Sequence, residues 1–413
     1  MNKKHFIYVL TLLFQTTFFS CKESTPVESQ SVYYEQIKQA VDSVRVSLET
    51  QLNRTVPSLN LLIHTPAEYI FVSTVHSGVT PITKDTYFRF ASNSKNFTST
   101  AILNMQEDGW LDINALITDN IPGSNIPYTP NTAEWNIPNK NSITIKQLLQ
   151  HSAGVFDVDN DTVPGCGGMS YVEYMLTQDP MHQFTSTELV EQVTINNLSY
   201  FFPGTNHHYS NTGYTILGEI AARVYALHSG ATKTLSDYLN DFIVGSSTPV
   251  PLDVHFPNLA AQNQLPSPSV SGTIIDKNGN TIIITEHNMS AHVAEGNGYG
   301  TMSELDKYIR TLMKGYNVLT QGSVDLMKNQ LSPGDTTYAL GCIKVTNLGY
   351  GHNGAIYGYL SYMLYDPAYD ASVIIMMPFW DESGGLQSFS TCMKTLLNAG
   401  YAARTVLGLP GKP

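Results

Sequence analysis

Charge is scarce in this sequence. Asp, Glu, Lys and Arg make up only 14% of its 413 residues, and the formal balance is acidic, at -12. A surface so poor in basic groups repels a phosphate backbone, which excludes nucleic acid as a partner. Cysteine is nearly absent. Cys21, Cys166, Cys342 and Cys392 cannot supply a dense disulfide framework. Metal-ligand spacing is missing as well: His207 and His208 stand side by side without the helical His-Glu-x-x-His pattern of a zinc site. No metal and no cofactor is therefore expected. Asp157-Val158-Asp159-Asn160-Asp161 opens like a calcium loop. Thr162 stands where glycine is needed and Gly168 where the closing Glu belongs, so a solvated acidic loop is the expectation. What the chain does have is bulk. At 42% hydrophobic it can bury a large core and build more than one lobe.

Long apolar runs are also missing. The run Phe6–Phe19 is short for a membrane span and is broken by Gln15, Thr16 and Thr17. Lys3 and Lys4 precede it and Ser20-Cys21 follows, the order of a secretory signal. It resembles a bacterial lipoprotein signal. That implies a signal peptide over 1–20, acylation of Cys21, and a polar tether to residue 32. An exported protein, lipid-anchored in the bacterial cell envelope, is the expectation. With Cys21 used, three cysteines remain, an odd number. Cys342 and Cys392 lie in apolar stretches where a buried free thiol is the default.

Apolar residues from Ile37 to Leu52 recur at helical spacing, and short β-rich runs follow at 60–64, 69–76 and 86–90. A helix should begin at Ser92, with Phe97, Ala101, Ile102 and Met105 on one face, and end near Gly109. Residues 119–143 are rich in Pro and Asn and should be irregular. Helical patterns return at 144–151, 186–197 and 213–226. A hairpin is expected around Asn278-Gly279, since the pair supplies the positive φ angles of a tight turn. A helix at 303–313, strands at 337–345, 357–365 and 371–377, and a helix at 386–404 close the chain. The fold class is therefore α+β: an antiparallel sheet built from both chain ends and flanked by the terminal helices, with a mostly helical second lobe. The α/β lobe would take about 33–115 and 330–410, the helical lobe about 116–329, and the active site the seam between them.

Three short motifs carry chemistry. Ser92 and Lys95 are three apart, which puts both on one helix face. A serine hydroxyl is a weak nucleophile and needs a base within reach. For Lys95 to serve, burial or a nearby positive charge must favour its neutral form. Tyr209-Ser210-Asn211 follows Pro203-Gly204 and precedes a helix. Tyr209 could pass a proton and Asn211 could hold a substrate amide. A rival triplet, Tyr238-Leu239-Asn240, lies in an amphipathic stretch where Tyr238 reads as core. His352-Asn353-Gly354 should start a strand beside the site, with His352 donating near Tyr209 and Gly354 letting ligand approach. The Ala355 N–H would pair with that of Ser92 as an oxyanion hole. The His-x-Gly triplets at His76 and His228 read instead as a turn and a helix cap.

Taken in order and spacing, these segments resemble the penicillin-recognising serine hydrolases of the class C β-lactamase family. The likeness spans most of 33–405 and includes 87–112, 145–154, 203–218 and 296–308. It implies a β-lactamase-like fold, acylation of Ser92, proton transfer by Lys95 and Tyr209, and substrate contacts by Asn211, His352, Asn353 and Gly354. The family's β-lactamases usually carry Lys-Thr-Gly at the third motif. His352 and Asn353 depart from that, and the run 351–362 looks most like the carboxypeptidase branch. The expected activity is hydrolysis of D-amino-acid peptides, as in D-alanyl-D-alanine carboxypeptidases. Alternatives are an esterase on small acyl esters, a β-lactamase, or a non-catalytic binding or sensor protein of the same fold. The partner is then a small peptide, β-lactam or ester; the oligomeric state is left open.

Overall fold

The computed structural model describes residues 31–413; the leader, Cys21 and nearly all of the tether lie outside the described residues. Helix α1 (Tyr34–Leu52) leads into strands β1 (Ser58–His64) and β2 (Tyr69–Val75). A two-residue strand, β3 (Phe88–Arg89), runs through a 3-10 turn, Ala91–Asn93, into α2 (Ser94–Glu107). Then come α3 (Ile145–Leu149), α4 (Tyr171–Gln178), α5 (Ser186–Ile195), α6 (Asn211–Ser229) and α7 (Leu235–Tyr238). The hairpin β4 (Gly272–Ile275) and β5 (Thr281–Ile284) is followed by β6 (Tyr299–Gly300), α8 (Met302–Met313) and α9 (Gln321–Asn329). Strands β7 (Ile343–Val345), β8 (Gly349–Ile356), β9 (Tyr359–Asp366), β10 (Ala371–Met377) and β11 (Phe379–Asp381) precede α10 (Leu386–Val406).

The main sheet has the order β2-β1-β10-β9-β8-β7 and is antiparallel throughout, so β1 from the start of the chain pairs with β10 from near its end. Alternation along the strands gives it two apolar faces. Leu61, Ile63, Leu360, Leu364, Val373 and Ile375 pack under α1 and α10. Leu62, Met363, Ile374 and Met376 join the larger core with the helices of the middle region. The α+β, β-lactamase-like architecture expected from sequence is the one observed. Helix α8 packs on the sheet itself, against β1, β9 and β10.

Helix α2 departs from the one-sided helix expected. It ends at Glu107, and every residue from Ser94 to Leu103 is buried. Its polar side chains are satisfied by other segments: Asn96 Nδ2 donates to Gly341 O at 2.9 Å, and Thr98 Oγ1 to Ala294 O at 2.6 Å. Thr100 Oγ1 meets Tyr308 Oη at 2.8 Å. A helix buried on all sides with paired polar groups fixes its neighbours in position, because each lost partner leaves a buried dipole unsatisfied.

Two smaller expectations change. The β4–β5 loop is longer than a two-residue turn. Asp276 Oδ1 accepts from Asn278 N and Asn280 N at 2.8 Å, and Gly279 takes the positive φ of 83°. This hairpin joins β11 in a separate sheet. Strand 337–345 shortens to β7. As expected, Tyr238 is core, and Gly230 caps α6 in the left-handed region. Cys166, Cys342 and Cys392 are buried and unbridged. No helix among the described residues is long and apolar enough to cross a membrane.

Candidate active site

Strand β3 pairs with β6 and delivers the chain to the turn that carries Ser92. Ala91 holds a φ of 51°, a left-handed conformation that an L-residue enters only under constraint from its surroundings. Ser92 is half-buried at the head of α2, where a first-turn N–H has no intrahelical partner. Lys95, fully buried, reaches back: its Nζ donates to Ser92 Oγ at 3.3 Å.

The other groups around Lys95 come from two loops. Nζ donates to Asn211 Oδ1 at 2.6 Å, to Glu295 O at 2.8 Å and to Glu295 Oε2 at 3.2 Å. Of the two conditions expected from sequence, burial or a nearby positive charge, burial is present, and the charge beside Lys95 is a carboxylate. Tyr209 and Asn211 do share a site. The Tyr209 ring lies 4.7 Å from Nζ, a cation–π distance, and its phenol interacts with Ser92. Burial holds the phenol well above its usual pKa; the Ser92 contact pulls the other way without offsetting it. Tyr209 is therefore a neutral phenol.

Asn211 opens α6, with Ser210 as its cap through Gly213 N at 3.1 Å. It is held by the acidic loop. Its backbone N–H donates to Asp157 Oδ2 at 3.0 Å and its Nδ2 to Asp159 Oδ2 at 2.6 Å. The loop is thus no solvated surface feature. Asp157 is 1% exposed and also accepts from Asp159 N, Asn160 N and Asn160 Nδ2. Burial and the neighbouring Asp159 raise its pKa, against the pull of those donors.

Glu295 and His292 were not singled out from sequence as site residues. His292 Nδ1 donates to Glu295 Oε1 at 2.6 Å and lies 3.4 Å from Asp159 Oδ2. Burial pushes its pKa down, but the two carboxylates outweigh that and hold it at about 10. A cation thus sits between the half-buried Asp159 and the buried Glu295. Asp159, His292 and Glu295 also form a set of metal-ligand donors, with ligand atoms within 4.8 Å of one another. Here the imidazole proton already satisfies the carboxylates. The loop reaches α2 because Gly218 on α6 leaves room: a Cβ there would fall 2.8 Å from that of Ala294. One signal was available in the sequence. Glu295 is a single acid within Ala291-His292-Val293-Ala294-Glu295-Gly296-Asn297-Gly298, in a chain otherwise thin in charge.

The third motif lies within β8, not at its start. The β8–β9 hairpin closes on Ile356 and Tyr359. Bonded and unbonded pairs alternate in antiparallel pairing, so Ala355–Leu360 exchanges no hydrogen bond and the Ala355 N–H leaves the ladder. β7 stops opposite Gly351 and does not cover it. Gly354 lets β8 press on the nucleophile turn, since a Cβ there would lie 2.1 Å from Phe90 O. Ser92 and Ala355 share one cavity wall.

His352 and Asn353 are placed differently from the sequence reading. His352 is 0% exposed, and both ring nitrogens are taken, by Asn353 O at 2.6 Å and Tyr338 Oη at 3.0 Å. Burial, with Lys95 adding to it, lowers its pKa to about 3, so it carries no charge for a substrate. Asn353 alternates with His352 and leaves on the opposite face of β8, paired with Tyr362 of the core under α1 and α10. Neither side chain lines the cavity. His207 and His208 stand away from it too, on Ser332 and Tyr200.

The cavity in front of Ser92 measures about 200 Å³. Val172, Leu176, Ile356, Tyr357 and Trp380 form its apolar wall. Asp159, Glu173, Glu295 and Glu382 supply four carboxylates, and no Lys or Arg lines it. Ser92, Asn211 and Ala355 line the cavity, while Lys95 and the neutral phenol of Tyr209 lie against Ser92 without lining it; together they are the parts of acyl transfer.

Comparison with known proteins agrees with this geometry. A family model described as Beta-lactamase matches residues 67–379. A Salmonella typhimurium protein provisionally named a D-alanyl-D-alanine carboxypeptidase is 25% identical over 193 residues, 44% of this chain and 40% of that protein. A penicillin-binding protein of Bacillus subtilis is 28% identical over 142 residues, 34% of this chain and 26% of that one. The match therefore spans well under half of these relatives. Among solved structures, a D-amino acid amidase from Ochrobactrum anthropi has a TM-score of 0.67 at 20% identity, covering 90% of this chain and 99% of that one. A D-stereospecific amidohydrolase from Streptomyces sp. has 0.66 at 21% identity, covering 86% and 98%. At such identities the structures speak for the fold, and the family model decides the membership: this chain belongs to the Beta-lactamase family.

Proposed function

We propose that the protein is a serine hydrolase that forms an acyl-enzyme on Ser92 and acts on D-amino-acid peptides or amides, preferring those with a free amine. The observation that carries the reading is Lys95 Nζ, fully buried and bonded at once to Ser92 Oγ, Asn211 Oδ1 and Glu295. Ser92 Oγ attacks the substrate carbonyl. As the O–C bond forms, the serine proton passes to Tyr209 while the Tyr209 proton moves to the leaving nitrogen. A neutral phenol suits that exchange better than a standing base. Lys95 Nζ, 4.7 Å from the ring centroid, is placed to stabilise negative charge on the phenol oxygen as it develops. The N–H groups of Ser92 and Ala355 receive the carbonyl oxygen, the C–N bond breaks, and water releases the acyl group by the reverse path.

The charge of the cavity supports the choice of substrate end. Asp159 and Glu295 are matched by His292 and Lys95, which leaves Glu173 and Glu382 to attract an ammonium and repel a terminal carboxylate, and at about 4 Å each such contact is worth roughly 1–4 kcal/mol between water and a protein surface. Asp159, Glu173 and Glu382 all act on Tyr357 at the mouth. This favours an amidase or amino-end peptidase over a carboxypeptidase. The apolar wall favours a second reading, an esterase on small acyl esters. D-phenylalanine amide, its N-acetyl derivative, an N-blocked D-Ala-D-Ala peptide and a nitrophenyl ester separate the cases. The expected kcat/KM is at least tenfold higher for the free amine than for the N-acetyl form. Preference for the blocked D-Ala-D-Ala peptide would overturn the amine reading, ester cleavage alone would favour the esterase, and no turnover of any of them would favour a binding protein. We also propose export and anchoring through Cys21, supported by the order of Lys3, Lys4, the apolar run and Ser20. A radiolabelled lipid absent from Cys21→Ser protein checks it.

A further inference from the structure

A buried chain of hydrogen bonds runs behind the site, with Tyr214 beside its central hydroxyl, and one arrangement of protons satisfies every ring nitrogen in it. Ser210 N donates to His151 Nδ1 at 3.1 Å, so that nitrogen is bare. His151 Nε2 lies 3.0 Å from Tyr338 Oη, which lies 3.0 Å from His352 Nε2. His352 Nδ1 lies 2.6 Å from Asn353 O, and a carbonyl only accepts. That nitrogen therefore carries a proton. With both rings neutral, His151 donates from Nε2 to Tyr338, and Tyr338 donates to the bare Nε2 of His352. His151, Ser210, Tyr338 and His352 are exposed by 2%, 3%, 5% and 0%, so bulk water does not reach the links. Burial lowers the pKa of both histidines, in keeping with neutral rings.

We propose that Tyr338 is a positioning residue for the active site: its one hydroxyl locks His151 and His352 in opposite neutral tautomers and so ties the Tyr209–Asn211 segment to the strand that carries Ala355. The role in catalysis rests on the serine hydrolase reading; the tautomers do not. His151 is well placed to transmit the effect. It takes a left-handed φ of 57°, its ring lies 4.3 Å from that of Tyr209, and its carbonyl accepts from His208 N at 3.0 Å. At the other end, His352 is three residues from Ala355 on β8. Tyr338 is thus the single link between the proton shuttle and the oxyanion strand in this chain of bonds. The arrangement also keeps His352 from turning a charged nitrogen toward substrate.

Long-range proton–nitrogen NMR of the full chain reads the tautomers directly. The expected spectrum shows His352 protonated on Nδ1 and His151 on Nε2. His352 protonated on Nε2, or on both nitrogens, overturns the lock. Kinetics then test its role. Tyr338→Phe should lower kcat at least tenfold while KM stays within about twofold, because the substrate does not touch Tyr338. His151→Gln, which can still accept from Ser210 and donate to Tyr338, should keep more than half the activity, whereas His151→Leu should fall with Tyr338→Phe. The Gln–Leu comparison covers the case in which Tyr338→Phe does not fold. Full kcat in folded Tyr338→Phe, or equal activity in the two His151 variants, overturns the positioning role. If the wild type turns over no substrate, the hydrolase reading and this role fall together, and the NMR result still decides the tautomers.

Discussion

Replacing His292 with glutamine should change both the stability of the protein and the way stability depends on pH. His292 Nδ1 lies 2.6 Å from Glu295 Oε1 and 3.4 Å from Asp159 Oδ2, and its pKa is held at about 10. In the unfolded chain the same imidazole titrates near 6.5. A raised folded pKa stabilises fully at a pH below the unfolded value, where both states hold the proton. Above that, the unfolded chain loses its proton while the fold keeps it, and the stabilisation erodes until it is gone above the folded pKa. The slope in between is about -1.4 kcal/mol per pH unit for one proton. The wild type should therefore lose about 2.5 kcal/mol from this group between pH 7 and pH 9. Glutamine keeps the size and polarity but removes the cation between Asp159 and Glu295, leaving Glu295 with Lys95 and Asp159 with Asn211. It should cost about 1–3 kcal/mol at pH 7 and remove this contribution to the slope. Urea midpoints at pH 7, 8 and 9 for both proteins measure it. Equal wild-type midpoints across that range, or a glutamine variant with the wild-type slope, would refute the reasoning.

Two further substitutions probe the neighbours of Ser92. Gly354→Ala places a methyl 2.1 Å from Phe90 O and 2.8 Å from Asn93 Nδ2, so β8 must retreat from the nucleophile turn. Stability should fall by about 1–3 kcal/mol in thermal or urea unfolding. Misplacing one oxyanion donor should lower kcat by roughly 100- to 1000-fold in steady-state assays. Asn211→Ala strips Lys95 Nζ of its 2.6 Å acceptor and Asp159 of its donor. Leaving those buried groups unpaired should cost about 1–3 kcal/mol in urea unfolding and at least a tenfold loss of kcat.

The central sheet was legible because its strands alternate or run apolar in short stretches, and β1, β2 and β10 fall where those runs do. The helix α2 was harder. Its expected apolar face was Phe97, Ala101, Ile102 and Met105, yet Thr98, Ser99 and Thr100 are each buried against a partner far along the chain, and periodicity carries no information about such partners. The site shows the same division. Ser92 with Lys95, and Tyr209 with Asn211, were legible as pairs because spacing on one helix or one turn is a local property. Glu295, His292 and Asp157 act through contacts across 54 to 200 positions, and no local pattern marks them. His352 was legible by type but not by orientation. Which face of a strand a side chain takes depends on register, and here Tyr338, fourteen residues earlier, claims its free nitrogen.

The account turns on the hydroxyl of Ser92 as the atom that accepts the acyl group. Intact-mass measurement of the protein quenched in acid during turnover of a D-aminoacyl ester, followed by peptide mapping, reads this directly. The expected result is one acyl mass added to the peptide that contains Ser92, absent in Ser92→Ala and formed at least 100-fold more slowly in Lys95→Gln. An adduct that survives Ser92→Ala, or maps to any other residue, would contradict it.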